Sequence, residues 1–119
     1  MFLKSLHILN FKNWPDGEFV FSSKLNCFVG ANGSGKTNLV DAIHYLSVCK
    51  SYFNPIDSQN IKDQEPFFVV EGDFEKNEEE FHIYCGVKRG EKKVFKKNKK
   101  NYDKLADHIG QFPSVIISP

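Results

Sequence analysis

A glycine-rich octapeptide between two apolar segments constrains the fold of this chain more than any other feature. Residues 30–37 read Gly-Ala-Asn-Gly-Ser-Gly-Lys-Thr and satisfy the pattern G-x-x-x-x-G-K-[ST]. The short apolar run at residues 25–29 is typical of a buried strand. After the glycines, apolar residues recur every three or four positions and predict an amphipathic helix over residues 37–49. A strand that passes through such glycines into a helix is the setting in which this pattern forms a phosphate-binding loop.

The residue types of this loop suit a nucleoside triphosphate with Mg²⁺. Glycines let successive backbone N–H groups turn towards phosphate oxygens, and the start of the helix adds unpaired N–H groups and the positive end of its dipole. Lys36 is predicted to face the β- and γ-phosphates, and the Thr37 hydroxyl is predicted to bind Mg²⁺, which prefers oxygen ligands. A tight turn that binds no ligand would require neither the Lys36 nor the Thr37 side chain. The candidate nucleotide-binding residues of the loop are Gly30, Ala31, Asn32, Gly33, Ser34, Gly35, Lys36 and Thr37.

The composition is that of one soluble domain. The 119 residues include 16 Lys and Arg against 15 Asp and Glu, and 40% are hydrophobic, which is enough for a core. No apolar run reaches the ~20 residues that span a bilayer, and the start of the chain lacks a signal-peptide pattern, so we expect a cytoplasmic protein without membrane contact. The cysteines Cys27, Cys49 and Cys85 are too scattered for a disulfide framework or a zinc site and are predicted to be buried or half-buried thiols.

The segments that follow the first helix depart from the alternating strand–helix units of nucleotide kinases and GTPases. Short charged turns separate three strand-like segments, which are therefore predicted to pair antiparallel, and a turn at 14–17 predicts an early hairpin. The predicted fold class is mixed α/β (α+β), a P-loop nucleotide-binding lobe with an antiparallel β-subdomain. The further predicted elements are strands at 3–11, 18–22, 67–74, 81–87, 93–96 and 114–117, a helical turn at 57–62 and a helix at 102–108.

Opposite charges are concentrated in two neighbouring segments. Residues 57–80 hold nine acids and two lysines, a net charge of −7, whereas residues 88–104 hold nine bases and two acids, a net charge of +7. The basic segment also contains aromatic residues and is a candidate surface for DNA, because each neutralised phosphate releases counterions. A solvated hairpin whose lysines prevent edge-to-edge pairing of sheets fits the same pattern, so both interpretations stay open. The candidate DNA-contacting residues are Lys92, Lys93, Lys96, Lys97, Lys99 and Lys100.

Two segments around the loop resemble the amino-terminal lobe of the ABC-type chromosome and repair ATPases, the group of Rad50, SMC and RecF. They are residues 8–14, Ile-Leu-Asn-Phe-Lys-Asn-Trp, and residues 25–43, which include the glycine motif. The segments at 35–47, 49–53 and 107–119 make the RecF family the better match within this group. The resemblance covers residues 1–119 and implies a single lobe, the ABC-type lobe I, which forms about the first third of such a protein.

Membership of that family implies ATP and Mg²⁺ as ligands, ATP-dependent binding of single-stranded or gapped duplex DNA, and an ATP-dependent homodimer of the full-length protein. It also implies recombination-mediator proteins as partners and a role in DNA repair, recombination, replication and the SOS response. The Walker B, signature and switch-histidine motifs of ABC-type ATPases are not found in the 119 residues, so the chain alone is expected to be inactive. The alternatives are another P-loop ATPase of the Rad50/SMC group and a nucleic-acid-binding module without ATPase function.

The resemblance adds two candidate residues beside the nucleotide. Lys12 and Asn13 match the pair that follows the first strand in this family, although a polar turn before Trp14 explains them equally well. Asp41 lies four residues after Thr37, and two interpretations of its side chain stay open. In one the carboxylate approaches the magnesium shell, and in the other it faces solvent.

Overall fold

An antiparallel sheet and one long helix make up the described structure. A computed structural model describes residues 2–12, 14–20, 34–48, 50–51, 53–54 and 56–101. Its elements are β1 Phe2–Phe11, β2 Trp14–Val20, α1 Ser34–Val48, a 3₁₀ helix Asp57–Asn60, β3 Phe67–Lys76, β4 Glu79–Lys88, β5 Val94–Lys97 and β6 Lys100–Asn101. The strand order is β2-β1-β3-β4-β5-β6, so β2 and β6 are the sheet edges within these residues. No helix among them is long and apolar enough to cross a bilayer.

Most of the elements predicted for the described residues are confirmed. The helix after the glycine motif, the three antiparallel strands of the acidic and basic segments, and the helical turn after residue 57 are present with bounds that shift by a few residues. The two-residue strand β6 was not predicted. The strands predicted at 25–29 and 114–117 and the helix predicted at 102–108 lie outside the described residues.

The turn predicted at 14–17 is wrong. The chain reverses between Phe11 and Trp14, which are Cα partners across β1 and β2, and Lys12 within the reversal has φ 54°. The predicted turn residues instead form the first half of β2. Trp14 packs edge-on against the ring of Phe19 with 5.5 Å between centroids. This aromatic contact and the pairing with β1 outweigh the local turn preference of the Pro-Asp-Gly sequence.

Helix α1 packs on one face of the sheet because burial alternates along the strands. The rings of Phe11, Tyr45 and Phe68 meet edge to face there, with 5.1–5.6 Å between centroids. Burial of each large apolar side chain contributes about 1.5–3 kcal/mol. Cys85 is buried as predicted, whereas the other two cysteines lie outside the described residues. The central core residues are Leu6, Ile8, Phe68, Val70, Ile83 and Cys85 from the strands and Leu39, Ala42 and Leu46 from α1.

Gly72 in β3 allows α1 to lie directly on the sheet. A Cβ at this position would lie 2.7 Å from Leu46 Cδ1 and 2.9 Å from the carbonyl oxygen of Ser5. Both distances are shorter than a side chain tolerates, so any larger residue would push the helix or β1 away. The helix that continues the glycine motif is therefore seated against the β1–β3 strand pair.

Candidate functional site

The first turn of α1 is the part of the glycine motif that the structure describes. The helix begins at Ser34, so residues 35–37 supply the backbone of its first turn. That turn contains no acidic residue, and the positive end of the helix dipole is not offset by a carboxylate of its own. Such a helix end is suited to an anion. Residues 30–33 and the side chains of residues 34–37 lie outside the description.

An ion pair joins the β1–β2 reversal to α1 one helical turn beyond Thr37. Lys12 Nζ lies 2.7 Å from Asp41 Oδ2; the Asp41 side chain is fully buried and that of Lys12 is 17% exposed. Asp41 also accepts a hydrogen bond from the Ser51 hydroxyl. Of the two positions predicted for Asp41, exposure to solvent is therefore wrong. Removal of the cation would leave a buried charge at a cost of about 3–5 kcal/mol.

The backbone around Lys12 fixes the direction of its side chain. The Lys12 N–H donates a hydrogen bond of 2.8 Å to the carbonyl of Asn60. Its ammonium lies 5.5 Å from the ring centroids of both Phe11 and Phe53. The backbone hydrogen bond and the two ring contacts thus hold Lys12 beside α1. Asn13, predicted together with Lys12 to border the nucleotide, lies outside the described residues.

A second polar cluster connects α1 to the start of β5. The hydroxyl of Tyr45 donates to Asp57 Oδ1 at 2.6 Å and accepts from Asn60 Nδ2 at 2.9 Å. Burial, and after it the hydrogen bond to Asp57, raise the pKa of Tyr45 far above its ordinary value, so the phenol stays neutral. Lys93 Nζ lies 2.7 Å from Asp57 Oδ2 and is 17% exposed. Lys93, predicted to contact DNA, therefore directs its ammonium to the α1 side of the sheet.

The other five lysines predicted to contact DNA lie on different surfaces. Lys96 places its ammonium 5.7 Å from the ring centroid of Tyr84, on the sheet face away from α1. Lys97 places its ammonium 4.8 Å from the ring centroid of Phe81. The side chains at the hairpin ends are exposed: Lys92, Lys99 and Lys100. The single basic surface inferred from sequence is thus divided between two faces and the tip of the β5–β6 hairpin.

A network of two histidines and three acids crosses the sheet face away from α1. His7 on β1 contacts Asp16 on β2 at 2.9 Å and Glu71 on β3 at 3.3 Å. His82 on β4 contacts Glu71 and Asp73, both at 2.8 Å. Partial burial opposes protonation of His7, but its hydrogen bonds to Asp16 and Glu71 outweigh burial and raise its pKa. Burial likewise opposes ionisation of Asp73, but the hydrogen bonds that it accepts outweigh burial and lower its pKa.

Sequence reasoning missed this network. Two of its members lie within residues 7–16 and three within residues 71–82, and the histidines share no spacing typical of a metal or catalytic site. The signal lies in strand register, which sets His7 opposite Glu71 and Asp73 opposite His82. Within the described ranges, no group of three or more His, Cys, Asp or Glu side chains has the geometry to hold a metal ion.

A protein-family model matches most of the chain. This family model is described as AAA domain and covers residues 5–116. The chain belongs to the AAA domain family. This AAA domain includes the glycine motif, α1 and the whole antiparallel sheet except its first residues.

Two curated relatives of this AAA domain carry the same description. The protein of Phocaeicola vulgatus, "DNA replication and repair protein RecF", is 56% identical over 120 residues, which cover 100% of this chain and 32% of the relative. The protein of Flavobacterium johnsoniae with the same description is 54% identical over 119 residues, 100% of this chain and 33% of the relative. This AAA domain spans about a third of the length of these curated relatives. The resemblance to the RecF family is confirmed along the whole chain.

Solved structures show the same fold as this AAA domain. A structure of the recombination mediator protein RecF-ATPrS in the RecFOR pathway has a TM-score of 0.90 and 32% identity, and the match covers 99% of this chain and 32% of that one. The SMC head domain from Thermotoga maritima has a TM-score of 0.70 and 31% identity over 90% of this chain and 40% of that one. The predicted fold class, a mixed α/β lobe of an ABC-type ATPase head, is confirmed.

Proposed function

We propose that this chain is the ATP-binding lobe of a RecF-like protein that acts in DNA repair, recombination and replication. The observation that carries the proposal is the start of α1 at Ser34, inside the G-x-x-x-x-G-K-T motif, with no acidic residue in its first turn. That helix end suits the phosphates of a nucleotide. The descriptions of the relatives as RecF, and matching structures of RecF-ATP and RecF-ATPrS, support ATP as the nucleotide.

In this proposal the glycine loop holds the triphosphate together with Mg²⁺. Backbone N–H groups of residues 30–37 face the phosphates, Lys36 adds a positive charge, and Thr37 offers its hydroxyl to Mg²⁺. When bound there, Mg²⁺ would neutralise part of the phosphate charge. The described surroundings fit an anion, because the carboxylate of Asp41 is matched by Lys12 and does not oppose the phosphates as a bare negative charge.

Lys12 and Asn13 are proposed to border the nucleotide at the β1–β2 reversal. Lys12 acts there as a positioning residue, since its contact with Asp41 ties the reversal to α1. Hydrolysis is expected only in the ATP-dependent full-length homodimer, because Walker B and signature motifs are not found in this sequence. Recombination-mediator proteins are the proposed partners, the cytoplasm is the proposed location, and the SOS response is the proposed setting.

DNA is the proposed second ligand, bound in an ATP-dependent way by the basic segment. Lys92, Lys96 and the hairpin-tip residues Lys97, Lys99 and Lys100 are the proposed phosphate contacts. Lys93 is not included, because its ammonium is bound to Asp57 on the α1 side. The acidic network lies on the β1–β4 part of the sheet, so phosphates are drawn to the β5–β6 end.

Titration calorimetry of the complete natural polypeptide with Mg-ATP tests the nucleotide site. Lys36→Ala is expected to lower affinity at least about tenfold, since hydrogen bonds to charged groups contribute about 1.5–3 kcal/mol. Thr37→Val is expected to lower the Mg²⁺ dependence of binding. Lys50→Ala, at an exposed lysine just beyond α1, is the matched control and leaves affinity unchanged. Unchanged affinity in Lys36→Ala would reject the nucleotide site.

Duplex binding at several salt concentrations tests the DNA contact. Changing Lys97, Lys99 and Lys100 together to Gln is expected to weaken binding to unrelated duplexes equally and to flatten the slope of log K against log salt by about 0.9 per lost phosphate contact. Lys62→Gln, away from the hairpin, is the control. If affinity and slope both persist in the triple variant, the hairpin is only a solvated turn.

A further inference from the structure

A groove of about 300 Å³ lies on the sheet face away from α1, over the β3–β4–β5 part. Its lining is mainly apolar, which is unusual for a sheet face that no helix covers among the described residues. Val94 is 41% exposed within it. The residues that form its floor and walls are Phe67, Val69, Tyr84, Gly86 and Val94.

Tyr84 lies along this groove because Gly86 leaves room for its ring. A Cβ at Gly86 would be 3.0 Å from the Tyr84 hydroxyl oxygen and 3.1 Å from its Cε1. The ring is half-buried, and the ammonium of Lys96 lies 5.7 Å from its centroid. An aromatic ring held in place on a sheet, with a lysine above it, presents a surface on which a planar base can stack.

The charged residues that line the groove are three lysines and Glu91. Lys92 and Lys96 line it together with Lys88, whose ammonium pairs with Glu91 at 3.1 Å. Glu71, opposite Tyr84 in the sheet register, marks the acidic end of the same face. A polyanion in the groove is therefore drawn towards β5 and kept away from β1 and β2.

We propose that this groove binds an unpaired base of single-stranded DNA, with Tyr84 as the stacking surface and Lys92 and Lys96 on the flanking phosphates. Lys96 exchanges its weak contact with the ring for a phosphate when the base enters. A duplex keeps its bases stacked inside and cannot offer one to Tyr84, so the groove distinguishes single strands from duplexes. This inference rests on the proposed DNA-binding function and specifies the form of DNA that this surface takes.

The test compares single-stranded and duplex DNA on the complete natural polypeptide with Mg-ATP. Binding of fluorescein-labelled oligothymidine and of a duplex of equal length is followed by anisotropy. Tyr84→Leu is expected to lower single-strand affinity about tenfold, within the range for loss of one stacked base, and to leave duplex affinity unchanged. Tyr84→Phe keeps the ring and is expected to bind as the wild type does.

The salt dependence of single-strand binding distinguishes the contribution of Lys96 from that of the Tyr84 ring. Lys96→Gln is expected to reduce the single-strand slope of log K against log salt by about 0.7, whereas Tyr84→Leu leaves that slope unaltered. Lys96→Arg is the charge-preserving control. Gly86→Ala is an independent variant, since its Cβ presses on the ring of Tyr84 and is expected to weaken single-strand binding without removing any contact group.

Three results would overturn the inference. Equal loss of single-strand and duplex affinity in Tyr84→Leu would show that the groove recognises the backbone. If Tyr84→Leu lost affinity for neither DNA, and Mg-ATP binding stayed intact, the groove would not be a DNA-binding site. The proposed function would then still stand. Reduced self-association of Tyr84→Leu in sedimentation, with DNA binding unchanged, would assign the groove to a protein interface.

A measurement on the wild type keeps the inference falsifiable if the variants do not fold. Oligonucleotides that carry 5-bromodeoxyuridine are cross-linked by light and the modified peptides are identified by mass spectrometry. Cross-links are expected at Tyr84. Cross-links confined to other peptides would contradict the proposed base site.

Discussion

The two faces of the sheet bury their polar groups in different ways. On the α1 face, the carboxylate of Asp41 is fully enclosed and matched by Lys12, and Tyr45 is enclosed among aromatic rings. On the other face, His7, Glu71 and His82 form a chain of contacts whose side chains all keep partial access to water. Enclosed pairs are costly to break, whereas exposed pairs contribute little. The α1 face is therefore expected to lose more stability than the other face when one charge is removed.

The largest expected effect is on the enclosed pair. Lys12→Met leaves the Asp41 carboxylate buried without its cation and is expected to lower the free energy of unfolding by about 3–5 kcal/mol. Urea unfolding of the chain measures it. Lys88→Met, which removes one partner of an exposed pair, is the matched control and is expected to change stability little.

A double variant sharpens this prediction. Lys12→Met combined with Asp41→Leu removes both charges and is expected to recover much of the lost stability, because apolar groups often replace a buried ion pair at no cost. If the double variant is as unstable as Lys12→Met, packing of the lysine stem rather than charge accounts for the loss.

Substitution of one glycine on each face compares how tightly the two faces are packed. Gly72→Ala sets a Cβ against Leu46 and the backbone of β1 and is expected to cost about 1–3 kcal/mol by overpacking. Gly86→Ala sets a Cβ only against the movable ring of Tyr84, so its cost is expected to be smaller. Thermal unfolding of both variants ranks them. The reverse order would mean that the α1 face tolerates displacement better than the outer face.

The Tyr45 hydroxyl is expected to have the next smaller effect. Tyr45→Phe removes the donor to Asp57 and the acceptor for Asn60, and the loss of such hydrogen bonds costs about 1–3 kcal/mol when a buried group is left without a partner. Asn60 keeps a second acceptor in the Asn54 carbonyl, which places the expected loss near the lower end. Urea unfolding measures it, and a loss equal to that of Lys12→Met would contradict the ranking.

The smallest effect is a pH dependence of the outer face. The pKa of His7 is raised in the folded chain, so the folded state binds more protons and the stabilisation from His7 is fully present below pH 6.5 and is lost as pH rises through the folded pKa. The pKa of Asp73 is lowered, so its stabilisation is present above pH 3.8 and is lost as pH falls. His7→Gln is expected to flatten the first change and Asp73→Asn the second in urea midpoints. A profile that neither variant alters would show that the network does not affect folding.

Much of the α1 face was predictable from local sequence. The glycine motif and the three- to four-residue apolar spacing predict α1, and alternation predicts β3, β4 and β5. The start of β2 at Trp14 was not predictable, since local turn preference competes with a ring contact that forms only after folding. Lys93 and Lys96 are three residues apart, so alternation along the strand predicted at 93–96 already places them on opposite faces. Which of the two faces carries α1 depends on the folded sheet.

The outer face was largely unpredictable for a different reason. The contacts of His7 with Glu71 and of His82 with Asp73 depend on strand register. The first joins positions far apart in the chain, and the second depends on the exact register of the β3–β4 hairpin. The groove depends on Gly86 being next to Tyr84 in space and on Val94 being across the sheet from Gly86. Tyr84 and Gly86 are two residues apart on one predicted strand and share a face by alternation. The position of Val94 opposite Gly86 becomes visible only with the register of β4 and β5.

The two edges of the sheet, as far as the structure describes it, are poorly suited to pairing with another chain. Pro15 in β2 has no amide hydrogen to offer a further strand, and β6 is only two residues long. Short edges and edge proline are devices that prevent a sheet from templating the addition of another chain. Within the described residues, neither edge is a good template for fibril growth. Concentrated or warmed samples are therefore expected to resist strand-by-strand polymerisation as long as the sheet stays folded.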